Sequence, residues 1–214
     1  TVREYIVPDV NAENHTAELQ RAANDARDKG GIIAVRGKWN LCDTVYIHEN
    51  TCVIFEDAEV MGKCDVLFKN SVVLSPRKQT KLGCQSGISL IGKNSVLYGT
   101  TELFNVRNFN IEGLRCENVS VGIALMYAYG GNLKNLSFVN ADSCIKCLIG
   151  TRNCFFTDIS SENCGEYICF DSNRLPDDVR VNYAGPDVKN NIVRGACGEV
   201  LKRGDYCSDI VVMK

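Results

Sequence analysis

Two acidic residues, Asp142 and Glu166, have a spacing that is compatible with acid–base chemistry. They are 24 residues apart in a region that repeats every 22 to 23 residues, so neighbouring repeats would place both carboxyl groups on one face. Inverting hydrolysis of a glycosidic bond uses one carboxylic acid and one carboxylate base, roughly 6.5–9.5 Å apart. We therefore interpret Asp142 and Glu166 as a candidate catalytic pair, with Asp171 beside them. A turn position for Asp142 and a surface strand position for Glu166 are the structural alternatives.

Aromatic and polar residues near these carboxylates are candidate contacts for a sugar. Tyr127 and Tyr129 precede a pair of glycines and could offer their ring faces to a carbohydrate, or could pack on the domain as loop residues. A second group lies in a segment with two of the four prolines, and is predicted to bind substrate or to form a solvated loop tip. Its members are Arg174, Asp177 and Asp178.

The sequence contains few residues in a pattern that could bind a metal ion or a cofactor. His15 and His48 are the only histidines, and Cys144 and Cys147 form one isolated C-x-x-C pair. Because a zinc site of this kind uses a second pair of ligands, we expect no metal and no cofactor. The 12 cysteines are too sparse for a small disulfide scaffold, and we expect most of them to be reduced residues of the core.

The composition excludes several classes of partner. The 214 residues carry 24 basic and 26 acidic side chains, a net charge of −2, which lacks the positive excess typical of nucleic-acid binders. No apolar run approaches the roughly 20 residues of a membrane-spanning helix. The partner that the candidate residues suit is a polysaccharide or oligosaccharide, while the oligomeric state is left open.

A repeat of about 22 residues defines the elements that would position these side chains. Three segments share aliphatic positions and end in asparagine, namely Ile111–Asn118, Leu133–Asn140 and Phe156–Asn163. Three further strands keep the same step, namely Ile123–Leu125, Ile145–Cys147 and Ile168–Phe170. The pattern predicts a solenoid of stacked coils, in which equivalent side chains lie about 4.8 Å apart. We expect the repeated asparagines to point inward and to form a ladder.

Segments outside the regular repeat are interpreted as a cap and an insertion. A helix over about 16–29, with Thr16 as its N-cap, precedes the strands. Ile192 follows Ile159 by 33 residues, which predicts another coil after an inserted loop over 172–186, with Cys197 stacked on Cys164. Those two cysteines are either core thiols or a disulfide. The chain is predicted to be one domain, 1–214, with a cap over 1–30 and coils over 31–214.

Two segments carry a family resemblance. The alanine-rich stretch from Thr16 to Ala23 and the strand and turn from Gly30 to Trp39 resemble the start of pectin-lyase-like β-helices. Val106–Leu114 is similar to the polygalacturonase branch of the glycoside hydrolases. The resemblance implies an all-β fold, a single-stranded right-handed parallel β-helix with one N-terminal capping α-helix. It also implies hydrolysis of a pectic polysaccharide.

The family's catalytic motifs are retained only in part. Polygalacturonase-like enzymes carry Asn-Thr-Asp, Gly-Asp-Asp, Gly-His-Gly and Arg-Ile-Lys motifs. Asn140-Ala141-Asp142 matches the first, whereas Glu166 stands for the aspartate pair of the second and Cys197 for the histidine of the third. The fourth has no counterpart. Two hypotheses follow, a glycoside hydrolase that uses Asp142 and Glu166, or a non-catalytic carbohydrate-binding or adhesive β-helix such as a decayed glycosidase.

Overall fold

The computed structural model describes residues 5–28, 31–62, 72–76, 85–173 and 187–214. Within these ranges one helix, α1 (Thr16–Asp28), lies near the start, and 19 strands account for most of the remainder. In chain order the strands are β1 (Tyr5–Ile6), β2 (Ile32–Leu41), β3 (Val45–Ile47), β4 (Cys52–Gly62), β5 (Val72–Pro76), β6 (Gln85–Ser86), β7 (Ser89–Lys93), β8 (Val96–Tyr98), β9 (Thr100–Arg107), β10 (Asn110–Glu112), β11 (Arg115–Glu117), β12 (Val121–Tyr129), β13 (Asn132–Val139), β14 (Ser143–Cys147), β15 (Phe155–Glu162), β16 (Glu166–Asp171), β17 (Val188–Arg194), β18 (Val200–Arg203) and β19 (Cys207–Met213).

The strands form two parallel sheets, which the chain visits alternately as it winds. The first sheet has 11 strands and follows the path β1-β2-β4-β7-β10-β13-β15-β17-β19, with β8 and β11 beside it. The second sheet has eight strands and follows β18-β16-β14-β12-β9-β5-β3, with β6 beside it. The result is a β-helix of about seven turns with a spacing of about 22 residues, which confirms the predicted fold class.

The register of the strands shows why the repeat is detectable in the sequence. Leu125 pairs with Cys147, and Cys147 pairs with Phe170, as the repeat predicts. All three side chains are fully buried, so each coil covers the apolar side of its neighbour. A thiol therefore stands in the core where the adjacent coils carry a leucine and a phenylalanine, and the burial of apolar surface along this column stabilises the stack.

The repeated asparagines form corners on the surface, so the expected inward ladder is wrong. Asn118, Asn140 and Asn163 are exposed and adopt positive φ values of 53°, 53° and 52°. Asparagine tolerates this left-handed conformation better than most residues, which suits a sharp turn between two sheets. The Asn140 side chain donates a hydrogen bond to Asn118 Oδ1 at 3.1 Å, so the ladder runs along the outside of the corner.

Helix α1 packs across the start of the solenoid by its apolar side. Leu19, Ala22 and Ala23 are buried there. The predicted N-cap role of Thr16 is wrong, because the His15 carbonyl accepts the first helical bond, from the Leu19 N–H. The Thr16 hydroxyl instead accepts a hydrogen bond from the backbone of the following coil, at 2.8 Å, and so ties the helix to that coil.

The last coils depart from the predicted alignment. On the first sheet, Ile192 pairs with Phe155 and not with Ile159. The step between the paired positions is therefore longer than the 33 residues that the sequence predicted. On the second sheet, Val200 pairs with Ile168. Most of the predicted insertion, 174–186, lies outside the described residues.

No disulfide joins any of the ten cysteines in the described part of the chain. Cys164 and Cys197 are therefore not joined in a disulfide, and Cys197 is exposed. Five of the ten are fully buried, namely Cys116, Cys144, Cys147, Cys154 and Cys169. Burial in apolar surroundings raises the pKa of Cys116 to about 12 and that of Cys154 to about 12, so both remain protonated thiols at neutral pH.

Candidate functional site

The outward side of the second sheet gathers most of the predicted site residues that the structure describes. Ile123, Ile145 and Ile168 are fully buried, and successive side chains of a strand alternate between the two faces of a sheet. The neighbouring positions therefore face outward, and the register stacks one such column in the order Glu102, Ala124, Lys146, Cys169 and Leu201. We call the outward side of β9, β12, β14, β16 and β18 the site face.

Glu166 begins β16 two positions before the inward-facing Ile168, but its carboxylate reaches Lys146 and Arg203 of the site face. Its Oε1 accepts a hydrogen bond from Arg203 Nη2 at 2.7 Å, and its Oε2 accepts one from the Ser143 hydroxyl at 3.1 Å. Lys146 Nζ lies 3.9 Å from the same Oε2. Partial burial pushes the pKa of Glu166 upward, but the hydrogen bonds from Arg203 and Ser143 outweigh it, so the net pKa is lowered. Glu166 is therefore an ionised carboxylate at neutral pH.

Cys169 and Asp171 lie on the same strand as Glu166. Cys169 holds an outward position and is nevertheless buried, and burial raises the pKa of its thiol, while the positive charge of Arg203 opposes that rise. Asp171 is the register partner of Arg203 and accepts a hydrogen bond from the Asn173 backbone N–H at 2.8 Å. Two carboxylates, two cations and one covered thiol thus share the C-terminal half of the site face.

Asp142 lies at the turn that leads into β14, where it is exposed. Its carbonyl accepts a hydrogen bond from the Glu166 N–H at 2.9 Å, which places the two predicted catalytic residues on neighbouring coils. They are one position out of register, because Ser143 pairs with Glu166. Gly165 therefore lies opposite Asp142, where a Cβ would come within 2.6 Å of the Asp142 carbonyl oxygen.

The two predicted tyrosines lie two residues apart near the end of β12. The Tyr127 ring is half-buried and meets the Phe104 ring of the preceding coil edge to face, with centroids 6.1 Å apart. Tyr129 is 47% exposed. Its register partners are Arg107 on the preceding coil and Arg152 on the following one. One aromatic ring therefore lies between two guanidinium groups on successive coils at this edge.

Further cations continue this edge towards the C-terminus. The backbone of Arg152 pairs with that of Lys189, on the next described coil, in an isolated parallel β-bridge. Arg152 Nε donates a hydrogen bond to the Asp187 carbonyl at 3.1 Å, and Lys189 Nζ lies 3.1 Å from Asp187 Oδ2. Both cations are thus held in place by one acidic residue at the surface.

The sequence reasoning missed four contributors to this face. They are Phe104, Ser143, Lys146 and Arg203. Phe104 was detectable in principle, because it lies 22 residues before the position that stacks on it, Met126. Arg203 had no such signal, since the insertion places it 37 residues after the carboxylate that it contacts.

Several predicted features lie outside the described ranges or are not seen within them. Arg174, Asp177 and Asp178 fall among the residues that the structure does not describe. Within the described ranges, no group of three or more His, Cys, Asp or Glu side chains is arranged to hold a metal ion. In the same part of the chain, no helix has both the length and the apolar character that a membrane crossing requires.

Comparison with known proteins relates the chain to others by fold. No protein-family model matches the sequence, and no curated protein matches it significantly. Solved structures do match. A protein described as a putative glycosyl hydrolase, from Parabacteroides merdae, aligns over 98% of this chain and 96% of its own, with 9% identity and a TM-score of 0.54. An iota-carrageenase bound to iota-carrageenan fragments aligns over 91% of this chain, with 13% identity and a TM-score of 0.58.

The aligned share of the other protein and the sequence identity limit what these similarities show. The chain spans about half of the carrageenase, 49% of its length. The surface protein and adhesin PfbA of Streptococcus pneumoniae also aligns, over 95% of this chain and 86% of its own, with 10% identity and a TM-score of 0.45. At such low identities the first two similarities show the β-helix fold alone.

Proposed function

We propose that this protein is a carbohydrate-active β-helix that binds a polysaccharide along its site face. The observation that carries the proposal is the meeting of two features on consecutive coils of one sheet. Aromatic rings, Phe104, Tyr127 and Tyr129, lie towards the ends of β9 and β12, and the ionic cluster of Glu166, Lys146 and Arg203 lies across β14, β16 and β18. Two fold neighbours, a protein described as a putative glycosyl hydrolase and a carrageenase with bound carrageenan fragments, support the same class of ligand.

The aromatic group and the ionic cluster would contact a sugar chain in different ways. An aromatic ring offers a flat apolar surface to the C–H groups of a pyranose, with a polar edge that stays in water. The carboxylate of Glu166 accepts hydrogen bonds only, whereas Arg203 and Lys146 only donate. Sugar hydroxyls both donate and accept, so this mixed cluster suits them. The adjacent cations Arg107 and Arg152 suit carboxylate or sulfate groups on the chain.

Binding is tested with a panel of polysaccharides. Polygalacturonate, iota-carrageenan and a neutral dextran are titrated into the protein by calorimetry or in affinity gels. We expect at least one to bind, and Tyr129→Ala to weaken that binding about tenfold. Phe155→Ala is the matched control, because Phe155 is 48% exposed on β15 of the first sheet and should leave binding unchanged. Equal effects of both substitutions, or no binding by the wild type, would contradict the proposal.

Hydrolysis of a glycosidic bond is the second candidate, and it depends on Asp142 and Glu166. The observation in its favour is that the two residues lie on neighbouring coils, with Glu166 held ionised as a general base requires. Asp142, exposed at the turn, would then protonate the leaving oxygen. Asp171, in register with Arg203, is the remaining carboxylate that could serve. Pectic polygalacturonate is the substrate that we propose for this activity.

Release of reducing ends from polygalacturonate distinguishes a hydrolase from a binding module. We expect Asp142→Asn and Glu166→Gln each to lower the rate at least a hundredfold if the pair is catalytic. Glu162→Gln is the control, since Glu162 is an exposed carboxylate on the first sheet. Turnover that survives both site substitutions would remove the hydrolase proposal. Binding without any turnover by the wild type would leave the carbohydrate-binding module.

A further inference from the structure

Three consecutive coils have a left-handed residue at one equivalent position, within β9 and β12 and shortly after β14. Asn105, Tyr127 and Gly150 hold equivalent positions there, with φ values of 57°, 49° and 74°. Asparagine and glycine adopt this conformation readily, whereas a bulky aromatic residue rarely does. Tyr127 is therefore the strained member of the column, and residues of the two other types satisfy the same turn without such strain.

The neighbouring coils support the Tyr127 ring on both sides. Phe104 of the preceding coil meets it edge to face at 6.1 Å, at an interplanar angle of 83°. Gly150 of the following coil lies directly against it, since a Cβ on Gly150 would come within 2.4 Å of Tyr127 Cδ1. The absence of a side chain at position 150 thus leaves room for the ring. The ring remains half-buried in this cradle, so part of it faces solvent.

We infer that the chain keeps a strained tyrosine at position 127 because its ring is the platform on which one pyranose ring of the ligand stacks. Strained backbone persists where the surroundings over-determine it, and it concentrates at functional sites. The ligand contact is the apolar C–H face of a sugar ring and not a charged substituent, because the cradle is formed by an aromatic ring and a glycine. This inference rests on the proposed function and names the contact that it uses.

Backbone strain at Tyr127 can be measured apart from the loss of the ring. Tyr127→Gly and Tyr127→Ala both remove the ring, but only glycine relieves the left-handed conformation. We expect Tyr127→Gly to melt about 2–4 °C above Tyr127→Ala, the reverse of the usual order in a strand. At Ala128, which follows in ordinary strand conformation, Ala128→Gly should lower the melting temperature. A Tyr127→Gly variant no more stable than Tyr127→Ala would overturn the assignment of strain.

Binding by the ring is measured with the polysaccharide that the wild type binds best. We expect Tyr127→Asn to lose about tenfold in affinity, Tyr127→Trp to retain it, and Asn105→Ala, the control in the same column, to leave it unchanged. The loss should be equal at about 0.1 M and about 1 M salt, over which the Debye length falls from about 10 to about 3 Å. Melting curves and circular dichroism establish that each variant is folded. Gly150→Ala keeps tyrosine at position 127 but crowds its ring, and it should also weaken binding.

The outcomes separate this inference from the proposed function. A wild type that binds no polysaccharide contradicts the proposed function, and the platform falls with it. A wild type that binds, with Tyr127→Asn binding equally well, overturns the platform alone. A loss that disappears at high salt would also overturn it, because the contact would then be electrostatic.

Discussion

The hydrogen-bonded ion pair of Glu166 and Arg203 has a strength that the geometry allows us to anticipate. Arg203 Nη2 and Glu166 Oε1 are 2.7 Å apart, and the side chains of Glu166 and Arg203 are 24% and 47% exposed. A charge-assisted hydrogen bond contributes about 1.5–3 kcal/mol when shielded, while an exposed pair contributes about 0.2–1 kcal/mol. With half of the Arg203 side chain in water, we expect a coupling free energy of about 1 kcal/mol at neutral pH and moderate salt.

A double-mutant cycle measures this coupling. The variants are Glu166→Gln, Arg203→Met and the double substitution, and urea unfolding gives the free energy of each. Methionine keeps an apolar stem of similar length, so the loss reports the charge and the hydrogen bond more than the packing. The pKa of Glu166 is lowered in the folded state, so its stabilising effect is present above the ordinary carboxyl range and is lost as the pH falls through the folded pKa.

Two results would contradict this account of the ion pair. The coupling should be about 1 kcal/mol at pH 7, should fall at high salt, and should disappear at acid pH once Glu166 is protonated. A coupling near zero at pH 7 would refute the assignment of Glu166 as a carboxylate stabilised by Arg203. A coupling that persists unchanged in acid would show that the interaction does not depend on the ionised form.

Three further predictions concern the solenoid. Asn191 is fully buried and hydrogen-bonds two backbone groups of the preceding coil at 3.0 and 3.1 Å, so Asn191→Ala should lower the free energy of unfolding in urea by about 3 kcal/mol. Gly131→Ala would place a Cβ 2.0 Å from the Phe109 ring, and should cost about 1–3 kcal/mol by the same measurement, with partial recovery in the double variant with Phe109→Leu. Because burial raises the pKa of the Cys116 thiol to about 12, native protein treated with iodoacetamide at pH 8 should be labelled at exposed Cys42 and not at Cys116, as mass spectrometry would show.

The fold could be predicted from the sequence because the apolar residues of its core recur at a regular spacing. Leu125, Cys147 and Phe170 differ in chemistry but occupy one buried column, and their common spacing survives those differences. The asparagines were found for the same reason, but their orientation was misjudged. Asparagine is favoured both where its amide can bond to backbone and where a left-handed residue is needed, and only the backbone conformation distinguishes the two cases.

The candidate site was less accessible, because its contacts cross coils at irregular offsets. Glu166 was singled out from the sequence, but its partner Arg203 follows an insertion whose length cannot be read from the repeat. The strained conformation of Tyr127 was equally hidden. A single left-handed residue adds no pattern of its own to the sequence, and the equivalence of Asn105 and Gly150 with Tyr127 is visible only once the register between the coils is known.

The binding of a polysaccharide on the site face is tested most directly with the three methionines as probes. Met126 lies on the site face as the register partner of Phe104, whereas Met61 and Met213 belong to strands of the first sheet. In an NMR spectrum of methyl-labelled methionines, titration with an oligosaccharide that the protein binds should shift the Met126 signal until the protein is saturated. The signals of the other two methionines should stay in place. Saturable binding that moves Met61 or Met213 and leaves Met126 unchanged would contradict the proposed location.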